Sequence, residues 1–267
     1  MRQVKVAQEQ RHAQRRRRLR RGIGTVVIAA GVVGIILLIT SPSSKPKKAA
    51  TSTTTSTIAN TTVSTAPVSH VAIKPVCPPA TTAGAPKRAI VFTKAPPTCI
   101  TTSTTYLAHV TTDVGTFVIT MNPSTSLAAV NNFVFLARYH FYDGVTFHRV
   151  IPGFVVQGGD PTGTGSGGPG YSFTGNKPAA TCPQLCYPLG SVAMANSGTT
   201  ASDGSQFFIV VGTSGERLPP NYTLFGQVTS GMNVVQTIAA GGTPQGVPPK
   251  ILHHMVKVTI SEVPSKG

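Results

Sequence analysis

From about residue 104 onward, apolar and polar positions alternate in short runs broken by glycine, proline, asparagine and aspartate. Tyr106 to Thr111 and Thr116 to Met121 are β-prone runs separated by Asp113, Val114 and Gly115, a spacing that predicts a hairpin. Strand-like runs recur at Val145 to Val150, Phe154 to Gln157, Gly190 to Ala195, Gln206 to Val211, Thr223 to Val228 and Met255 to Ser261. Two segments change period. Val130, Phe133, Val134 and Ala137 stand at i, i+3, i+4 and i+7, one apolar face of a helix, with Ser124 or Ser126 available as its cap. Met232 to Ala239 is a second, shorter helical stretch. Many short strands with two helices predict a mainly β barrel or sandwich, since closing a sheet removes its exposed edges.

The first part of the chain has a different texture. Gly22 to Thr40 is a run of 19 residues without a charge, preceded by Arg11, Arg15, Arg16, Arg17, Arg18, Arg20 and Arg21. At roughly 1.5 Å rise per residue such a run approaches the thickness of a bilayer core. It predicts a transmembrane helix at 22–40, with 1–21 as an arginine-rich tail on the cytoplasmic side. A cleaved signal peptide would have a shorter apolar core, of roughly 7 to 15 residues, and a nearby Ala-x-Ala site. Residues 41–70 are almost entirely Ser, Thr, Ala, Pro, Lys and Val. Such a segment buries too little apolar surface to offset the entropy of ordering it, which predicts a disordered linker. Residues 71–103 form an extension rich in proline and containing two cysteines, and 104–263 form the regular, extracytoplasmic domain.

Charge distribution narrows the function classes. The formal net charge is +16, from 23 basic and 7 acidic residues. Twelve of the basic residues lie within the first 50 positions, opposed there by Glu9 alone, whereas 101–267 carry seven basic and six acidic residues. The positive charge therefore belongs to tail and linker, and gives no support to nucleic-acid binding by the domain. Beside an apolar run, arginines act first as a topology signal and as partners for anionic lipid.

The four cysteines, Cys77, Cys99, Cys182 and Cys186, allow three pairings. Outside the cytoplasm an even count suggests disulfides, and Cys77 with Cys99 and Cys182 with Cys186 are favoured because each closes a short loop. A metal site is the weaker reading: Cys182 and Cys186 are only two ligands without a nearby histidine, and His109, His140, His253 and His254 form no ligand set. The glycine-rich stretch from Gly158 to Ser172 lacks the Gly-Lys-Ser or Gly-Lys-Thr ending of a phosphate cradle and reads as a surface loop. Phe147, Phe207 and Ile209 read as core. Arg149 stands in an apolar strand, where a charge has to remain hydrated or paired. Strand alternation puts Phe147 and Arg149 on one side and His148 on the other.

Three segments, FHRVIPGFVVQGGD from Phe147 to Asp160, MANSG from Met194 to Gly198 and SQFFI from Ser205 to Ile209, together resemble the cyclophilin family of peptidyl-prolyl isomerases. The resemblance covers about 104–263. It implies a closed eight-stranded antiparallel β-barrel capped by two α-helices, at about Ser124 to Arg138 and Met232 to Ala239, with a substrate groove on its outer surface. It also implies a monomer. Carried over residue by residue, Arg149, Phe154 and Gln157 are the implied catalytic residues. Val155, Ala195, Asn196, Gln206, Phe208, Leu218 and Tyr222 are the implied substrate-binding residues. Three positions depart from the best-studied pattern: Val155 replaces a methionine, Arg217 a tryptophan and Tyr222 a histidine. Cyclosporin affinity, to which that tryptophan contributes, is therefore expected to be weak. The reaction needs no cofactor and no metal.

The sequence thus predicts a membrane-tethered isomerase acting on proline-containing polypeptides outside the cytoplasm. A proline-peptide binding or scaffolding module with little turnover is the alternative, motivated by Arg217 and Tyr222. A purely structural barrel would leave the groove set unexplained.

Overall fold

The computed structural model describes residues 71–179, 182, 185–199 and 201–264. The tail, membrane helix and linker predicted for 1–70 lie outside the described residues. No helix among those described is long and apolar enough to cross a membrane.

The chain forms β1 (Thr104–Thr112), β2 (Gly115–Met121), α1 (Leu127–Arg138), β3 (Arg149–Ile151), β4 (Val155–Gly158) and β5 (Ser191–Met194). It continues with β6 (Phe207–Val210), α2 (Thr213–Glu216), β7 (Leu224–Ser230), α3 (Met232–Ala240) and β8 (Met255–Pro264). The strands make one sheet in the order β3-β4-β6-β5-β7-β2-β1-β8, antiparallel throughout. Period-2 patterning sets the register. Tyr106, Ala108 and Val110 of β1 are buried and stand opposite the buried Met121, Ile119 and Phe117 of β2, so a slip of one residue would expose six core side chains. At the ends of the order, the chain just before β3 meets the start of β8. There the Phe147 amide donates to the His253 carbonyl at 3.0 Å, and the Met255 amide to the Val145 carbonyl at 2.9 Å.

The predicted elements are present with shifted boundaries. The run Val145 to Val150 gives a ladder only at Arg149–Ile151. Phe147 consequently sits in the core while Arg149 faces the groove, and the two do not share a side as alternation predicted. Ser126 occupies the N-cap of α1, but its hydroxyl makes no cap bond; Oγ accepts the Asn176 amide instead. The four-residue α2 is too short for periodicity to show.

α1 is buried nearly all round, not on one face. The sheet covers one side and the extension 71–103 covers the other. Phe92 is buried against the rings of Phe135, Tyr139 and Tyr171, with centroids 4.9, 5.2 and 6.4 Å away. The Asn131 side chain accepts the Cys99 amide at 2.7 Å and donates to the Pro97 carbonyl at 2.9 Å. Beyond the end of α1, Arg88 donates to the carbonyls of His140 and Phe141. Ala89, Ile90, Phe92 and Ile100 belong to the same hydrophobic core as the sheet residues. The pairings Cys77–Cys99 and Cys182–Cys186 are both present, with Cα separations of 5.3 and 5.7 Å.

Candidate active site

Adjacent strands β3, β4, β6 and β5 carry the site. Antiparallel pairing puts Arg149 opposite Gln157, Gln157 opposite Phe208, and Phe208 opposite Ala193. Phe154 enters β4 from a turn whose Gly153 has a φ of 72°. α2 packs closely behind it: a Cβ on Gly215 would stand 2.4 Å from the Phe154 carbonyl oxygen, which is why glycine occupies that position. After α2 the chain delivers Leu218 and then Tyr222.

These elements enclose a cavity of about 240 Å³ lined by Arg149, Phe154, Val155, Gln157, Ala195, Asn196, Phe208, Leu218 and Tyr222. Nine of the ten site residues picked out in the sequence are thereby brought together. The tenth, Gln206, lines a neighbouring cavity of about 390 Å³ that shares Gln157, Ala195 and Asn196 with the first. The floor of the smaller cavity is apolar: Val155 and Phe208 are buried, backed by Tyr187, Ala193 and Val210. The Phe208 and Tyr222 rings stand perpendicular with centroids 5.1 Å apart. Arg217 is exposed at the end of α2 and does not line the cavity.

At the rim the Arg149 guanidinium lies 5.6 Å from the centroid of Phe154 and donates to Gln157 Oε1 at 3.1 Å. No ion pair engages Arg149 among the described residues. Gln157 Nε2 donates to Gln206 Oε1 at 3.1 Å, and Gln206 Nε2 donates to the carbonyls of Gly165 and Gly167 at 2.9 and 3.0 Å. The direction of this relay is fixed by its ends. Arginine can only donate and carbonyls can only accept, so each amide between them has one workable orientation.

The glycine-rich stretch read as a surface loop therefore supports the site. Asp160 organises it from beneath. The buried Asp160 carboxylate accepts from the Thr162 amide and hydroxyl, the Thr164 hydroxyl, and the amides of Gly165 and Gly167. Burial alone would push this carboxyl up, but the donors from Thr162, Gly167 and Gly165 outweigh it and bring it down to about 2. His148 lies under the same loop, buried, with no hydrogen-bond partner for either ring nitrogen among the described residues. Burial, opposed by Asp160 and reinforced by Arg149, lowers its pKa and favours the neutral ring. No sequence motif marks Gly165, Gly167 or Tyr187, since the two glycines act through their backbone carbonyls and Tyr187 acts from behind the pocket.

Residues 107–260, more than half of the chain, match the family model for cyclophilin type peptidyl-prolyl cis-trans isomerase/CLD. The chain belongs to this family. The cyclophilin domain is 44% identical over 122 residues to peptidyl-prolyl cis-trans isomerase B of Bacillus subtilis, covering 45% of this chain and 80% of that protein. It is 38% identical over 168 residues to the probable peptidyl-prolyl cis-trans isomerase B of Mycobacterium tuberculosis, covering 57% of this chain and 52% of that protein. Among solved structures, a cyclophilin-type isomerase of Cryptosporidium parvum aligns with a TM-score of 0.51 at 28% identity, over 60% of this chain and 99% of that chain. A crystal structure of that C. parvum cyclophilin in the presence of the dipeptide Ala-Pro aligns with a TM-score of 0.50 at 29% identity, over 58% of this chain and 98% of that chain. Cyclophilins of this type are enzymes, and the fold here is the cyclophilin-like arrangement of an eight-stranded antiparallel sheet with helices. The extension 71–103 precedes the matched residues yet shares their core.

Proposed function

We propose that this cyclophilin accelerates rotation about X-Pro bonds in proteins outside the cytoplasm, using Arg149 beside an apolar proline pocket. The observation that carries the reading is the Arg149 guanidinium, oriented by Gln157 over Phe154 and free of any ion pair among the described residues. The barrier to rotation, about 18 to 20 kcal/mol, comes from amide resonance. Twisting the bond breaks that resonance, and the prolyl nitrogen becomes pyramidal and accepts a hydrogen bond. A donor that meets this nitrogen only in the twisted geometry lowers the barrier, because it binds the transition state better than either planar isomer. Phe154, Val155, Phe208, Leu218 and Tyr222 hold the proline ring. Gln157, Gln206 and Asn196 hold the flanking backbone while the carbonyl side rotates. No proton changes hands, so neutral His148 has no acid-base task.

We read the sheet as a closed barrel, a reading supported by the hydrogen bonds between 144–147 and 253–255. A membrane tether at 22–40 with the domain outside is supported by the arginine run before it and by two disulfides in the domain. A monomer with proline-containing polypeptides as substrates completes the reading. Turnover of an Ala-Pro peptide by the wild type and by Arg149→Ala tests it. Loss of about 100-fold or more in kcat/KM is expected for removing a transition-state donor. A variant as active as the wild type would transfer the chemistry to the pocket alone. A folded wild type without turnover would favour the proline-peptide binding module.

A further inference from the structure

Tyr187 does not line the proline pocket, yet it is fully buried behind it, among Val155, Ala193, Phe208 and Val210. Its hydroxyl serves one residue twice. It donates to the Tyr222 carbonyl at 2.9 Å and accepts the Tyr222 amide at 2.9 Å. The Tyr187 and Tyr222 rings meet edge to face at 6.2 Å.

Residues 221–223 belong to no helix or strand, and no ladder supplies backbone partners to Tyr222. The flanking residues are tied to the strand side of the groove. Asn196 Nδ2 donates to the Asn221 carbonyl at 3.1 Å, and the Met194 amide donates to the Thr223 carbonyl at 2.9 Å. Tyr222 itself hangs between these ties, and the Tyr187 hydroxyl supplies both of its backbone bonds. An irregular segment with paired backbone groups keeps one conformation, whereas unpaired groups turn toward water.

We propose that Tyr187 is a positioning residue for the isomerase: through the backbone of Tyr222 it sets the wall of the pocket that closes on the proline ring. The proposal rests on the reading of Tyr222 as part of that pocket. The wall touches the ring, which stays in place while the bond rotates, so the contact is alike in ground and transition states. Loosening it should therefore raise KM and leave kcat nearly unchanged.

The test is Tyr187→Phe in the full-length protein, alone and in a Tyr222→Ala background, assayed on an Ala-Pro peptide alongside thermal melts. We expect KM to rise about fivefold in the single variant, and no further rise when the substitution is added to Tyr222→Ala. The fall in melting temperature should appear in both backgrounds, since Tyr222→Ala keeps the backbone groups. An unchanged KM in Tyr187→Phe, or the same rise in both backgrounds, would overturn the proposal and leave Tyr187 a core residue. Hydrogen exchange on the wild type provides a test that does not depend on the variants folding: the Tyr222 amide should be protected, and exchange at the rate of an exposed loop amide would also overturn it. Absence of turnover by the wild type would instead sink the isomerase reading.

Discussion

The amide relay makes a prediction with a definite sign. In Gln206→Glu the new carboxylate can still accept from Gln157 Nε2, as Gln206 Oε1 does at 3.1 Å. Its second oxygen, however, meets the carbonyls of Gly165 and Gly167, to which Gln206 Nε2 now donates at 2.9 and 3.0 Å. Two bonds are lost and two acceptors face a charge. The cost is about 1 to 3 kcal/mol. If half of it reaches Arg149 through Gln157, kcat/KM falls about fivefold at pH 8. Protonation returns one donor, so the same clash raises the new carboxyl above its usual value of about 4.3. The deficit should then shrink as pH falls from about 8 to 5, whereas Gln206→Leu should show a deficit that does not change with pH. NMR exchange spectroscopy on an Ala-Pro peptide needs no coupling protease and measures all three proteins across that range. A deficit in the glutamate variant that is equal at pH 5 and pH 8, or no deficit in either variant, would refute transmission through the relay.

Three further outcomes test the supports of the site. Phe92→Ala removes the ring that packs on Phe135, Tyr139 and Tyr171 and should cost about 3 to 5 kcal/mol in denaturant unfolding; a loss below about 1 kcal/mol would mean the extension is not part of the core. Replacing both Cys77 and Cys99 by serine opens a loop spanning 22 residues and should destabilise the domain by roughly 3 kcal/mol, read as a lowered denaturant midpoint. Asp160 has a folded pKa of about 2 against an ordinary 3.8, so its contribution of about 2 kcal/mol is present above the ordinary value and is lost as pH falls through the folded one. Unfolding curves for the wild type and Asp160→Asn should accordingly differ at pH 6 and converge near pH 2, and a gap that persists at pH 2 would argue against the carboxylate as the cause.

Much of this architecture was legible along the chain because period-2 patterning and turn residues act locally. The β1–β2 hairpin follows from alternation around Asp113 and Gly115, and all eight strands fall within a few residues of their predicted runs. The pocket set was legible through the family motifs, not through physics: Phe154 and Phe208 look like core by pattern, and only three-dimensional neighbours separate the partly exposed ring from the buried one. What stayed hidden depends on long-range pairing. The relay joins Gln157 to Gln206 and Gln206 to carbonyls 41 and 39 positions away, and no local signal says that a glycine-rich loop will present two carbonyls to one amide. Tyr187 was hidden for the same reason, since its partner Tyr222 lies 35 positions on.

α1 shows how such a long-range requirement can nevertheless leave a trace. Its i, i+3, i+4 pattern describes one face, but Phe135 and Leu136 lie off that face and are as buried as Phe133 and Val134. A helix that is apolar on two sides needs cover on two sides. The sheet supplies one cover, and the apolar residues left over in the sequence, Ile90, Phe92 and Ile100, lie in the extension, beside the cysteines that staple it. Phe92 also donates its amide to the Pro169 carbonyl at 2.8 Å, just past the glycines that hold Gln206. The extension thus covers the helix and holds the far end of the loop on which the relay depends, so the folding unit that supports catalysis begins well before the residues matched by the family model.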